Sequence, residues 1–289
     1  MISQRTTDLL VADCWVERSG EVRVRVPLPP LGTGYEDSSG LLARERGTGA
    51  EVRVPFDTSG AQARALLVRE PGLLPEGRWD LYAEYGSETG PVLRRLRAGL
   101  RDLRALLPPL AAPPRLPVVS WVPYRTSGGW LALRTWERYG HAEVQSVHVS
   151  RDEFAVEGWL LGQGRPAPPA VELRCRRGCD RALPTVVSAR PAPSPAWEGT
   201  GQGFRSSLLW TDLAEIASEG EVWDLYALPY GATEAVRVAR LLDDIPDKKD
   251  VYSFPDTHVW APGRGPLRIR PYYTQANGLS VKAESLEGI

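Results

Sequence analysis

The chain has 289 residues and a net charge of -1, with 42% apolar and 25% charged residues. That is a globular composition with length enough for two domains, and it excludes a disordered, fibrous or membrane-embedded chain. It also lacks the cation surplus that displaces counterions from phosphates, so nucleic acid is not an expected partner.

All but three of the 35 cations are Arg, the exceptions being Lys248, Lys249 and Lys282. Guanidinium forks suit phosphates and carboxylates. Spread over both halves beside many Ala, Pro and Gly, the bias reads first as that of a GC-rich genome. The opening stretch, MISQRTTDLLVADCWVERSG, has no apolar core and no small-residue cleavage site. No stretch approaches the roughly 20 apolar residues of a membrane helix. A cytoplasmic location without membrane insertion is the expectation.

In chain order, EVRVRV (21–26) sets Val22, Val24 and Val26 on one face and Arg23 and Arg25 on the other, as a half-buried strand does. EVRVPF (51–56) reads likewise. EGRWDLYAEY (76–85) opens a strand after a Glu-Gly turn. PVLRRLRAGLRDLRALL (91–107) has helical spacing, but its counterpart further on reads as strand and turn, so strand is expected here too. The Pro-rich stretch 108–117 is a connector inside the domain. SWVPYRTSGGWLALRTW (120–136) contains two strands around a turn. ERYGHA (137–142) is the expected seam, giving domains 1–138 and 139–289.

Beyond the seam the same landmarks return. RDEFAVEGWLLG (151–162) pairs with SGEVRVRVPL (19–28), EGEVWDLYALPY (219–230) repeats the W-D-L-Y strand, and RIRPYYTQANGLSVKAE (268–284) matches 120–136. A tandem duplication accounts for landmarks kept in one order. The expected fold is therefore all-β, two tandem antiparallel β-sandwich (immunoglobulin-like) domains, with Trp79 and Trp223 as core anchors.

Chemical motifs are sparse. GTGQGF (199–204) lacks the strand-turn-helix context of a dinucleotide site, and no nucleophile elbow, Walker A or H-E-x-x-H sequence occurs. His148 alternates with Val147 and Val149 on a strand, as a solvent-facing or satisfied residue does. Cys175 and Cys179 could close a short loop or supply half a metal site, but free thiols flanking a hairpin turn suit a reducing cytosol. In LLDDIPDKKD (241–250), Asp243 and Asp244 could bind a divalent ion or act as acid and base. The plainer reading is a solvated turn whose charges compensate one another. Arg268, Arg270 and Tyr272 share one strand face, with Asn277 in the next turn, and could hold a sugar or phosphate. An ordinary solvent face is the alternative. Trp260 and His258 either extend that surface or, for Trp260, join the core. No cofactor is implied.

The second copy, through WDLY (223–226), LLDDIPDKK (241–249) and RPYYTQANGLSV (270–281), resembles known β-sandwich modules. These follow the catalytic domain in bacterial family-2-type glycosyltransferases and glycerophosphotransferases of cell-wall, teichoic-type polymer synthesis. The resemblance is good over 219–284 and degenerate over 76–136. It implies Trp223, Asp224, Tyr226, Arg270, Tyr272, Tyr273 and Asn277 as a structural signature. It also implies an accessory, non-catalytic role beside a glycosyltransferase or polymer transferase, with a carbohydrate or sugar-phosphate ligand. No counterpart of the catalytic domain is present. The competing expectation is a transferase-like or biosynthetic enzyme with a cleft between the sandwiches that uses Asp243, Asp244, His258 or Tyr272.

Overall fold

The computed structural model describes residues 9–27, 39–59, 62–86, 90–107, 113–162, 167–176, 180–263 and 265–286. The chain forms two compact units, 1–112 with 119–137, and 113–118 with 138–289. The stretch 113–118, expected inside the first domain, is thus grouped with the second.

The first unit is built from β1 (Val11–Val16), β2 (Val22–Pro27), β3 (Gly40–Glu45), β4 (Glu51–Pro55), β5 (Asp57–Ser59), β6 (Gln62–Leu67), β7 (Gly77–Tyr85), β8 (Val92–Arg95), β9 (Arg97–Asp102), β10 (Val118–Arg125) and β11 (Leu131–Arg138). One sheet has the order β5-β6-β2-β1-β9 and the other β10-β11-β7-β3-β4, with β8 also on β7. The helical spacing of 91–107 yields to strand because the segment closes both sheets. β8 pairs with β7, and β9 runs beside β1. Leu96, buried at the crossover, donates its N–H to Leu81 O at 3.0 Å and accepts from Leu131 N at 2.8 Å. The β1–β9 pairing is parallel, a departure from the expected antiparallel order that follows from the segment returning to β1 from the other sheet.

The second unit repeats this plan. Its strands are β12 (Ala142–Val149), β13 (Glu153–Leu161), β14 (Ala170–Cys175), β15 (Ala182–Pro184), β16 (Val186–Arg190), β17 (Gly201–Leu209), β18 (Val222–Leu228), β19 (Val236–Ala239), β20 (Thr257–Ala261), β21 (Gly265–Tyr273) and β22 (Leu279–Ser285). The order β16-β17-β13-β12-β19 reproduces the first sheet of the first unit. β21, β22, β18, β14 and β15 reproduce the second, and β20 is an added edge strand. β19 serves both sheets, parallel to β12 and antiparallel to β18. Here the parallel ladder stops at Glu143↔Ala239. The Glu143 carboxylate then takes the N–H groups of Leu241 and Leu242 at 2.8 and 3.1 Å in place of further strand. Buried donors must be paired, and a side chain can do so where a ladder ends.

Alternation places Trp79, Leu81, Ala83 and Tyr85 in the first core and Trp223, Leu225 and Ala227 in the second. Both tryptophans are core posts, 1% and 0% exposed. One helix, α1 (Trp210–Ile216), stands where no helix is expected from the sequence. It buries Trp210, Leu213 and Ala214, three- and four-residue spacing in too short a run to outweigh its β surroundings. Cys175 is disulfide-bonded, which corrects the expectation of free thiols, while Cys179 lies outside the described residues. At the end of the β14–β15 pair Cys175 N donates to Arg181 O at 3.1 Å. Cys14 is free and buried, its thiol pushed up to about 12 by that burial, so it is a packing group rather than a nucleophile.

Candidate functional site

The outer face of the second unit's β18-β22-β21-β20 sheet carries most of the residues singled out from the sequence. In β21, Leu267, Ile269, Pro271 and Tyr273 point inward, leaving Arg268, Arg270 and Tyr272 on the opposite face. Register extends that face: His258 lies opposite Arg268 and Trp260 opposite Pro266. Glu284, Lys282 and Ser280 lie opposite Arg268, Arg270 and Tyr272. Trp260 is 70% exposed and does not join the core. His258 is exposed as well.

The cations on this face are unevenly neutralised. Arg268 donates to Glu284 at 2.9 Å. Arg270 reaches Asp256 only at 3.6 Å and faces Lys282 directly across the ladder. Like charges opposite one another on a sheet are destabilising, and here Lys282 is offset by donating to Glu284, which it shares with Arg268.

Beside it sits a denser cluster. Asp224, nearly buried, accepts from Arg176 Nε and Nη2 at 3.0 and 2.6 Å, from Arg237 Nη2 at 2.8 Å and from Ser280 Oγ at 2.8 Å. Burial pushes the Asp224 carboxyl up, but Arg176, Arg237 and Ser280 more than offset it and hold the group below the usual carboxylate value. The bond to Asp224 in turn raises Arg176, with Tyr272 contributing. Such a carboxylate is an anchor for guanidiniums, not a proton donor. Tyr226 packs between the guanidiniums of Arg174 and Arg237, whose carbons lie 5.0 and 5.2 Å from its ring centre.

Two recesses open where this cluster meets the loop after β19. One, of about 480 Å³, is lined by Arg176, Arg237, Lys249, Tyr272 and Gln275. The other, of about 420 Å³, is lined by Lys249, Tyr252, Phe254, Arg270, Tyr272 and Lys282. Tyr272 and Lys249 belong to both. Lys249 is exposed and makes no ion pair among the described residues. The arrangement offers cationic donors, a hydroxyl and aromatic surface, which together recognise phosphate esters and sugar rings.

The remaining expected site residues lie elsewhere. Asn277 is fully buried in the left-handed conformation at φ 58°. Its Oδ1 accepts from Lys248 N at 3.0 Å and its Nδ2 donates to Pro246 O at 3.1 Å, so the side chain pins the loop and is committed internally. The same loop overturns the reading of 241–250 as a solvated turn. Lys248 is 0% exposed and donates to Asp243 and to Ile245 O, while Asp243 also accepts from Arg240 Nε at 2.8 Å. Burial pushes the Lys248 ammonium down, and Asp243 opposes that. The charges do compensate, but inside the protein, where pairing is obligatory. Asp244 is half-buried at the loop surface. Asp243 and His258 are not brought together, one being buried and the other exposed. Among the described residues no group of three or more His, Cys, Asp or Glu is placed to hold a metal ion, and no helix is long and apolar enough to cross a membrane.

Sequence reasoning missed Arg176, Arg237 and Lys249 as site residues. Arg237 alternates in AVRVA as an outward strand residue does, a usable signal. Arg176 sits past the end of β14, and only the fold brings it to Asp224.

Comparisons with family models and with curated proteins find no match. Among solved structures, the chain is similar to a fragment of S. aureus TarS, residues 217–571, at 14% identity and a TM-score of 0.34. That alignment covers 70% of this chain and 55% of the fragment. A longer S. aureus TarS structure gives 15% identity and a TM-score of 0.34, covering 70% of this chain and 34% of that one. The chain thus spans about half and about a third of these proteins' lengths.

Proposed function

We propose that this protein is a non-catalytic binding or assembly partner in glycan or cell-envelope polymer synthesis, made of two copies of one ancestral sandwich. Its second unit takes a carbohydrate or sugar-phosphate chain across the two recesses that share Tyr272. The observation that carries the reading is the gathering of Arg176, Arg237, Lys249, Arg270 and Lys282 around Tyr272 in the two recesses. Lys249 has no ion pair among the described residues, Arg270 reaches Asp256 only at 3.6 Å, and Lys282 shares Glu284 with Arg268, next to aromatic surface. Phosphates along a chain would settle between these cations, and Tyr252, Phe254 and Tyr272 would receive the polyol or sugar carbons. Trp260, exposed on the same face, offers a further stacking surface. The motif resemblance of 219–284 to modules that accompany polymer transferases supports a glycosyltransferase or polymer transferase as the working partner.

Calorimetric titration with short poly(glycerol phosphate), with dextran as a neutral control, tests this. Binding should weaken as salt is raised, and Lys249→Gln or Tyr272→Ala should each reduce affinity by about tenfold. No heat at millimolar poly(glycerol phosphate), or equal binding of dextran, would remove the reading.

A further inference from the structure

In the first unit, Asp80 occupies the place of Asp224 in the repeated W-D-L-Y strand. It accepts from Arg46 Nε and Nη2 at 3.0 and 2.6 Å and pairs with Arg95 Nη2 at 2.7 Å. The turn between β10 and β11 has the same hydrogen bonds as its counterpart in the second unit. Thr126 N donates to Trp130 O at 2.9 Å and Gly129 N to Thr126 O at 2.8 Å, as Thr274 N donates to Gly278 O and Asn277 N to Thr274 O, both at 2.9 Å. The residues on this shared backbone differ. Trp130 stands where the second unit has Gly278, and Gly129, at φ +81°, stands where it has Asn277.

Trp130 packs against two guanidiniums. Those of Arg95 and Arg97 lie 5.2 and 5.3 Å from its ring centre. A Cβ on Gly129 would lie 2.8 Å from Arg97 Nη2 and 3.5 Å from Arg125 Nη2, so two guanidiniums converge on the space that the missing side chain leaves open. Arg95 is neutralised by Asp80. Arg97 and Arg125 form no ion pair among the described residues, and both are accessible, Arg125 being exposed and Arg97 half-buried. Two like charges held this close repel, and the positive φ keeps any ordinary side chain from filling the gap between them. An anion there would relieve the repulsion through charge-assisted hydrogen bonds.

We infer that the first unit carries its own anion site, above Gly129 between Arg97 and Arg125, and that it takes a soluble phosphate ester. This deepens the proposal for the second unit and rests on different residues, so each can fail alone.

The probe is glycerol 3-phosphate, titrated by calorimetry into the full chain and followed by the Arg Nε–H resonances in NMR. Wild type should bind two equivalents, with the Arg97 and Arg125 signals shifting. Arg97→Gln/Arg125→Gln should lose one equivalent, or weaken it by at least about tenfold, and keep the other. Lys249→Gln/Arg270→Gln should do the reverse. An unchanged isotherm for Arg97→Gln/Arg125→Gln, with an unchanged melting temperature, would overturn the inference. A single equivalent that this variant abolishes would uphold it and remove the second-unit reading instead. Co-sedimentation with phosphatidylglycerol vesicles that needs Arg97 and Arg125, without binding of glycerol 3-phosphate, would overturn the assignment to a soluble ester.

Discussion

The Asp80 and Asp224 clusters occupy equivalent places in two units of the same strand order, yet they present their cations differently. In the second unit Gly278 leaves the turn bare. A Cβ there would lie 2.9 Å from Arg237 Nε, so the arginine lies across the turn and reaches both Asp224 and Ser280. In the first unit Trp130 stands in that position, and Arg95 packs near the indole while reaching Asp80. One exchange between the smallest and the largest side chain decides whether an arginine lies across the turn or beside a ring. The core posts differ in a similar way. Trp79 Nε1 donates to Thr135 Oγ1 and to Pro75 O, each at 3.1 Å. The position matching Thr135 is Ala283, and Trp223 Nε1 has no acceptor among the described residues.

The sharpest way to separate the units is the buried Lys248–Asp243 ion pair of the second. Lys248→Met leaves the buried Asp243 with Arg240 as its remaining cationic partner and should destabilise that unit by about 3 kcal/mol. Urea titration read by hydrogen exchange should show its core amides failing early while those around Trp79 are unmoved.

Asp224→Asn should cost about 2–3 kcal/mol at neutral pH, through lost charge-assisted bonds. Because the folded pKa of Asp224 lies below its ordinary value of 3.8, the carboxylate's contribution is complete above that value and is lost as pH falls through the lower folded one. Wild type and variant melting temperatures should therefore converge below pH 3.8, and a constant gap down to pH 2 would refute the assignment.

Thr135→Ala should cost the first unit about 1–2 kcal/mol, since its hydroxyl also donates to Pro75 O at 2.7 Å. The reciprocal change, Ala283→Thr, offers Trp223 an acceptor and should stabilise the second unit by about 0.5–1 kcal/mol in the same urea experiment.

Much of this architecture was legible in the sequence because period-two alternation is a local property. Val22, Val24 and Val26, or Leu267 and Ile269, declare their faces without knowledge of any partner. The strand at 91–107 was legible only through comparison with 235–245, since its own spacing suggests a helix. What was hidden depends on residues distant in sequence. Lys248 looks solvated until Asn277 and Asp243 are seen to enclose its loop. Of the candidate site, Arg270 and Tyr272 could be placed on a face from alternation, whereas Trp260 read equally as surface or core until its exposure was seen. Lys249, Arg176 and Arg237 could not be joined to them, because the loop after β19 and the end of β14 meet that face only in three dimensions.

The parallel pairing of β1 with β9 bears on how the chain is made. During synthesis β1 can zip against β2 almost at once, but its other flank has nothing to bind until the ribosome has delivered β9. Folding of that sheet is thereby tied to a late, distant partner, the kind of long-range closure that slows folding and leaves a strand edge open to mispairing. A nascent chain halted before Arg97 should accordingly engage chaperones, and one extended past Asp102 should release them.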